Sequence, residues 1–229
     1  MRVLNVRSTA IAAALLVAST AASALTIATN ALVADSVQRF SEEAMDAFEV
    51  TGVGITPLGN ATAAAGTTDT FVFPITSITV DSKLKIAAGA ASGSALEIAR
   101  IAPPRTPSAG QKVGIVLANF AIDYNAKKVF ADFTPIGGVT TKNVALFDFN
   151  VATPLGLKYK FPLTITGREV LDQLTLTPES RQAQIDTLQL RTFEIGALDA
   201  ITTFGSLTQD IKVTFRKSVP TAPYTVAQP

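Results

Sequence analysis

The chain has 229 residues, of which 48% are hydrophobic and 16% are charged, and its formal net charge is +1. This length is enough for one sizeable apolar core, and the balanced charge excludes a basic field that would attract nucleic acid or an anionic membrane surface. Cysteine, histidine and tryptophan are absent, which excludes disulfides, thiolate chemistry and the side chain that most often acts as a general base or transition-metal ligand.

The first 24 residues are typical of a cleavable secretory signal peptide. Arg2 and Arg7 form a short basic segment, and an unbroken apolar run covers residues 11–17. Residues 22–24 (Ala-Ser-Ala) fit the small-x-small pattern after which signal peptidase cuts. Since a membrane-spanning helix needs about 20 apolar residues, we expect cleavage and export, with no transmembrane anchor.

Residues 25–34 are apolar and threonine-rich, and they predict an extended edge strand. Processing would free this strand to pair with the sheet of a neighbouring molecule. The following segment predicts an amphipathic helix over residues 36–49, because Asp35 or Ser36 can cap it and apolar residues recur at three- and four-residue spacing. Gly52 is expected to end this helix.

Beyond this helix the pattern changes to strands. β-Branched and aromatic residues dominate residues 70–80, and alternating segments cover residues 112–124 and 127–133. The two alternating segments are joined at Asn125-Ala126, which predicts a hairpin turn. The small residues at 89–94 predict a flexible loop.

A second helix is predicted from Thr177 to about Leu188. Thr177 suits the cap, Pro178 suits the first helical position, and an acidic residue follows at the positive end of the helix. The segment 207–215 predicts a closing strand. The proline-rich residues 218–229 are expected to form a loose tail.

The chain is therefore predicted to be mainly β: a single antiparallel β-sandwich-like domain over residues 25–217, with two short amphipathic helices. The strands mostly follow one another directly and are not separated by helices, which argues against a doubly wound parallel sheet. A division at the loop 103–110 would leave each half with few strands, so one domain is the simplest partition.

Several local motifs occur in an order that resembles a known family. They are GITPLGNA at 54–61, FPIT at 73–76, LANFAID at 117–123, ALFD at 145–148, LTLTPE at 174–179 and FEIG at 193–196. This order resembles the secreted β-rich modules related to the HtaA domain, found in exported and surface-attached bacterial proteins, over roughly residues 50–212. The resemblance implies a sandwich-like β domain with helical additions.

Some members of this family capture haem with a tyrosine and a histidine near a Trp-Gly motif. This sequence contains neither histidine nor tryptophan, so no ligand residue is transferred from the family. Tyr124 and Tyr159 are the candidates for contacting haem or a small hydrophobic ligand. No catalytic residue and no metal ligand is assigned, and no cofactor is expected under the main hypothesis.

The charged residues near these tyrosines each have two interpretations. Asp123 either belongs to a binding rim or bonds the backbone of the hairpin turn. Asp132 and Asp148 lie among phenylalanines, and they either pair across strands as an acid–base or calcium site or face solvent. Lys158 and Lys160 either contact an anionic ligand or protect an exposed strand. In all three cases the structural interpretation is preferred.

The main hypothesis is an exported, non-enzymatic structural or binding protein located in the periplasm, at the cell surface or outside the cell. It would bind a protein partner or associate with itself by β-strand addition through residues 25–34 or the tail. The alternative is a haem-binding or small hydrophobic ligand-binding protein of the HtaA-like type. A hydrolase using a carboxylate pair ranks last, because the sequence offers no motif for it.

Overall fold

The computed structural model describes residues 24–81, 85–160 and 164–227. These residues form three helices and twelve strands. The helices are α1 (Glu42–Thr51), α2 (Pro178–Leu188) and α3 (Thr192–Asp199). The strands are β1 (Leu25–Ala28), β2 (Leu32–Arg39), β3 (Gly54–Gly59), β4 (Thr62–Ala63), β5 (Thr70–Pro74), β6 (Ser77–Val80), β7 (Ile86–Ile101), β8 (Lys112–Asp123), β9 (Lys128–Pro135), β10 (Thr141–Lys160), β11 (Thr164–Leu176) and β12 (Ser206–Phe215). The predicted signal peptide lies outside the described residues, except for Ala24.

The twelve strands belong to one antiparallel sheet. Its order is β1-β6-β7-β8-β9-β10-β11-β12-β2-β5-β4, and β3 pairs with β7. The prediction of a mainly β, antiparallel domain is confirmed. The sandwich-like layers, however, come from a single sheet that curls over on itself and not from two separate sheets.

The connection between β5 and β6 shows how far the sheet curls. These strands are consecutive in the chain but lie near opposite ends of the strand order. Between them, the amide of Ile75 donates to the carbonyl of Ala34 in β2 at 2.8 Å, and the amide of Thr76 donates to the carbonyl of Ala90 in β7 at 2.8 Å. The two ends of the sheet therefore meet at residues 75–76, and the inner face becomes an enclosed core.

The enclosed core is rich in phenylalanine. Phe40 packs edge-on against both Phe48 and Phe71, with ring centroids 5.8 and 5.9 Å apart. All three helices contribute to the same cluster, through Phe48 of α1, Leu188 of α2 and Leu198 of α3. Burial of these apolar faces, each side chain contributing about 1.5–3 kcal/mol, holds the helices against the sheet.

Helix α1 begins later than the sequence predicts. Residues 36–39 belong to β2, which pairs with β12 on one side and β5 on the other. The cap is Ser41, whose Oγ accepts a hydrogen bond from the amide of Ala44 at 3.1 Å. Gly52 ends the helix with a positive φ of 66°, as expected. The prediction was wrong for the first part of this helix. Pairing with strands on both sides makes an extended backbone more stable there than an exposed helical turn.

Helix α2 is confirmed at both ends. The Thr177 Oγ1 accepts from the amide of Ser180 at 3.2 Å, and Pro178 occupies the first turn. Helix α3 was not predicted. Its first turn is held by Glu194, whose carboxylate accepts from the amide of Arg191 at 2.6 Å.

Three segments between or beyond these elements can be compared with their predictions. Residues 89–94, expected to be a flexible loop, lie inside β7, where small residues allow a bulge between Ala91 and Ala95. The turn between β8 and β9 is confirmed, and Asp123 Oδ1 accepts the amides of Asn125 and Ala126 at 2.8 and 2.9 Å. The tail, expected to be loose, lies against the outer face of the sheet.

Candidate ligand cavity

The inner face of the curled sheet encloses an apolar cavity of about 50 Å³. Buried aliphatic and aromatic side chains form most of its wall, including Phe73, Leu96, Ile98, Leu117, Ile122 and Leu207. The partly buried residues of the wall include Ile78, Ile86, Leu155 and Ile211. Since one water needs about 10–15 Å³ of such space, the cavity has room for roughly four water-sized groups.

The wall also contains buried polar side chains. Gln38 and Gln184 are two of them, and three others lie in one row across neighbouring strands. Glu169 of β11 lies directly opposite Gln209 of β12, and Gln209 lies opposite Ser36 of β2. Cross-strand neighbours share a face of the sheet, and all three residues line the cavity while being buried. The Gln209 Nε2 donates to the Ser36 Oγ at 3.0 Å.

Tyr124 completes the polar row. Its hydroxyl donates to the Glu169 Oε2 at 2.5 Å, and its ring packs edge-on against Phe149 at 6.0 Å between centroids. Burial raises the pKa of the Glu169 carboxyl above its ordinary value of 4.5, and the Tyr124 hydroxyl offsets part of that increase. Burial and the neighbouring carboxylate raise the pKa of Tyr124 as well. Tyr124 and Glu169 therefore share a short hydrogen bond at the edge of the cavity.

Of the two predicted ligand-contacting tyrosines, Tyr124 lines the cavity. The side chain of Tyr159 lies outside the described part of the chain, so its prediction stays open. The backbone of Tyr159 pairs with Ile165 in β10 and β11. Lys158, which precedes it, is exposed.

The aspartates near the predicted site are not brought together. The Asp132 Oδ2 accepts from the Asn119 Nδ2 at 2.9 Å, whereas Asp148 pairs with the Lys128 Nζ at 2.5 Å on neighbouring strands. Asp123 bonds the hairpin backbone, as the preferred interpretation expects. None of these three lines the cavity.

The sequence prediction missed Glu169, Gln209 and Ser36. A usable signal was present, because Glu169 shares the alternation of the buried Leu171 and therefore points to the same face. Ser36 was assigned to the predicted helix over residues 36–49, so its place in the alternation of a strand was not recognised.

Haem is the group that the family resemblance implies, and the residues around the cavity do not fit it. A tyrosine ligand to haem iron acts as a phenolate, whereas the proton of Tyr124 is held against Glu169 and its pKa is raised. The cavity is also too small for haem, because its volume is about 50 Å³. Tyr124 is therefore not assigned as an iron ligand.

Two further properties concern metals and membranes. Within residues 24–81, 85–160 and 164–227, no three acidic side chains come close enough together to hold a metal ion. In the same part of the chain, no helix is long and apolar enough to cross a membrane.

Comparison with known proteins gives a weak relation of fold. No family model and no curated protein matches the chain. Among solved structures, the chain is similar to the C-terminal domain of HtaA from Corynebacterium glutamicum, with 14% identity and a TM-score of 0.46, over 80% of this chain and 98% of that one. The resemblance noted in the motifs is thus confirmed as a weak relation to an HtaA-like fold, and no residue role is taken from that domain.

Proposed function

We propose that this protein is an exported, non-enzymatic binding protein that encloses a small, neutral, mainly apolar molecule inside its curled sheet. The observation that supports this proposal is the polar row of Tyr124, Glu169, Gln209 and Ser36 in a mainly apolar cavity. Export is proposed from the first 24 residues, which carry the signal-peptide pattern.

The polar row adds little net stability by itself. Its groups are hydrogen-bonded in pairs, and replacing both partners of such a pair by apolar side chains of the same shape is often nearly neutral or stabilising. A few precisely directed polar groups in an apolar cavity are typical of small-molecule sites, where they orient the ligand. The row therefore favours a ligand with one polar end and an apolar body.

The charge of Glu169 selects among such ligands. Glu169 accepts the Tyr124 hydroxyl as a carboxylate, and two carboxylates buried side by side cannot readily both stay ionised, so a ligand carboxylate beside it would be disfavoured. A hydroxyl or amide can donate to Glu169 and accept from a neighbouring amide. The expected ligand is therefore an alcohol-like or amide-like molecule and not a fatty-acid anion.

The same geometry supports a non-enzymatic role. Tyr124 and Glu169 are hydrogen-bonded to each other, and the Gln209 amide is bonded to Ser36. These groups are arranged to hold a polar atom, and the hydrogen bond that the structure describes at the Ser36 Oγ comes from the Gln209 amide, which cannot act as a base to activate a nucleophile.

The test uses the full chain and two probes of equal chain length that match the cavity volume of about 50 Å³, 1-butanol and butanoate. Calorimetric titration at pH 8 should show binding of butanol, and butanoate should bind at least about tenfold more weakly because of Glu169. The Glu169→Gln variant should reduce this difference in affinity between the two probes. Absence of butanol binding overturns the proposal.

A second pair of variants shows whether the probe enters the cavity. Gly89 lines the cavity, and a Cβ there would meet no atom within 4 Å, so Gly89→Val places a side chain in the cavity without a clash. Gly156 is equally open but does not line the cavity. Butanol binding should be lost in Gly89→Val and kept in Gly156→Val.

Self-association by strand addition remains a second candidate, and one observation favours it. Strand β1 lies at the end of the strand order, and its Leu25 and Ile27 side chains are 59% and 43% exposed. Exposed apolar edge strands pair readily with other chains. Sedimentation at high protein concentration should show association of the wild-type chain. The Ile27→Lys variant should no longer associate, whereas the control Val139→Lys, at an exposed turn, should associate like wild type. A wild-type chain that stays monomeric throughout excludes this candidate.

A further inference from the structure

The C-terminal residues 218–227 cover a second apolar patch on the outer face of the sheet. They contain no helix or strand. Ala95 of β7 and Val116 and Ala118 of β8 are almost fully buried, and the side chains packed on them are Leu58, Tyr224 and Val226. Two of these three covering residues come from the tail, so the patch is buried largely because the tail lies on it.

Asn119 holds the backbone of the tail at two points. Its Oδ1 accepts from the amide of Tyr224 at 2.7 Å, and its Nδ2 donates to the carbonyl of Tyr224 at 3.0 Å. The same amide group also accepts from Gly93 N at 3.1 Å and donates to Asp132 Oδ2 at 2.9 Å. All four hydrogen-bonding positions of the Asn119 amide are used, and Asp132 fixes which way the amide faces.

A second anchor lies four residues earlier in the tail. The Asn60 Nδ2 donates to the carbonyl of Pro220 at 2.7 Å and to that of Ser92 at 3.1 Å. This contact with Pro220, like those of Asn119, is made to the tail's backbone. The side-chain contacts come from Tyr224 and Val226, which pack on the patch, and from Ser218, whose Oγ accepts from the Asn30 Nδ2 at 2.6 Å.

Two glycines make room for the tail, because a side chain at either position would occupy the space in which the tail lies. A Cβ on Gly93 would stand 2.9 Å from the carbonyl oxygen of Ala222, and one on Gly59 would stand 2.8 Å from the ring of Tyr224. Gly93 and Asn119 both have positive φ, 79° and 55°, at matching bulges of β7 and β8. We call this surface, made of Leu58, Gly59, Asn60, Gly93, Ala95, Val116, Ala118 and Asn119, the tail groove.

We propose that the tail groove is a peptide-binding site for the segment 218–227, and that copies of this chain link by placing this segment in one another's groove. The site is independent of the ligand cavity, because it lies on the other face of the sheet. The contacts are made by a short segment through backbone hydrogen bonds and the side chains of Ser218, Tyr224 and Val226, so they do not depend on which copy supplies the segment. The chain's own tail competes because its tether gives it a high effective concentration.

The test combines two full-length variants that are defective in complementary ways. Asn119→Gly removes the clamping amide but tolerates the positive φ, so its groove is impaired and its tail is intact. Tyr224→Ala weakens the tail and keeps the groove. Each variant alone should sediment as a monomer, and an equimolar mixture should form a 1:1 complex, because the tail of the first variant fills the groove of the second.

A labelled peptide of residues 218–227 measures the groove directly by fluorescence anisotropy. The Tyr224→Ala chain should bind it at least about tenfold more tightly than the Asn119→Gly chain does, and more tightly than the wild-type chain, whose own tail competes. Asn119→Asp, which keeps the acceptor but places a carboxylate beside Asp132, is the second groove variant should Asn119→Gly fail to fold.

Three results would overturn the proposal. The first is equal peptide binding by the groove variants and the Tyr224→Ala chain. The second is equally tight binding of a scrambled peptide of the same composition, which would assign the groove to foreign peptides. The third is peptide binding without any complex in the mixture, which would restrict the contact to a single chain.

Discussion

Arg100 of β7 and Glu194 of α3 form a two-point ion pair in the interior, with N–O distances of 2.8 and 3.1 Å and side chains that are 2% and 1% exposed. The same guanidinium donates to the carbonyls of Thr51, Leu188 and Gln189 at 2.8–3.0 Å. These carbonyls lie at the ends of α1 and α2, where the last turns have no partners within the helix. The pair therefore ties all three helices to the sheet.

Replacing Glu194 by glutamine should destabilise the protein strongly. The change leaves the buried guanidinium without its counter-charge, which typically costs about 3–5 kcal/mol. The measurement is urea unfolding at pH 7. The matched control is Glu97→Gln, which breaks an exposed pair between Glu97 and Lys112 at 2.6 Å and should cost no more than about 1 kcal/mol. Equal costs for the two variants would contradict the structural role of the buried pair.

The stabilising effect of Glu194 should disappear at acid pH. Burial alone would raise the pKa of this carboxyl, but hydrogen bonds from Arg100 and Arg191 outweigh burial and lower the pKa from 4.5 to about 2. A lowered pKa in the folded state gives stability that is complete above pH 4.5 and is lost as the pH falls towards 2. The free-energy difference between wild type and Glu194→Gln should therefore shrink over this range. A difference that is constant from pH 6 to 2.5 would be incompatible with this.

The Tyr124–Glu169 pair should show the opposite pH dependence. Because the folded-state pKa of Glu169 is raised, its contribution to stability is complete below pH 4.5 and is lost as the pH rises through the folded value. The free energy of unfolding of the Glu169→Gln variant should therefore rise relative to that of wild type as the pH increases.

Removing the Tyr124 hydroxyl tests the same pair from the other side. Tyr124→Phe should cost about 1–3 kcal/mol at pH 8, because a buried carboxylate loses its donor. In the Glu169→Gln background the cost should be smaller, since a neutral amide needs the hydroxyl less. Urea unfolding of the four chains of this cycle measures the coupling, and strictly additive effects would show that the hydrogen bond contributes nothing.

Gly93 should tolerate alanine much less well than Gly66 does. Both residues have positive φ, 79° and 76°, so alanine strains the backbone in each case. At Gly93 the new Cβ would also stand 2.6 Å from the Asn60 Nδ2, whereas at Gly66 nothing lies within 4 Å. Gly93→Ala should lose about 1–3 kcal/mol and speed tryptic cleavage after Lys217. Equal behaviour of the two variants would place Gly93 outside the tail groove.

Local sequence signals predicted the elements whose stability is decided within a few residues. Thr177 and Pro178 mark the start of α2 because a cap and a fixed φ act on the next turn alone. Asp123 predicts its turn for the same reason, since it bonds amides two and three residues away. Gly52 ends α1 because it can adopt the left-handed conformation.

Other features depended on contacts between distant parts of the chain. Residues 36–39 joined β2 because β12 and β5 lie on either side of them, more than 30 residues away in each case. Tyr124 and Glu169 are 45 residues apart, and Asn119 and Tyr224 are 105 apart. No local pattern contains these pairings, because they follow from strand order and from the curl of the sheet.

The sequence by itself determined an antiparallel β-rich chain, the second helix, the hairpin turn and the expectation of export. Composition, alternation and capping act over short distances, so they can be recognised along the chain. Only the tertiary structure decided that the sheet closes at residues 75–76, that a polar row faces its cavity, and that the tail lies in a groove. Each of these depends on hydrogen bonds and burial that exist only after remote strands have paired.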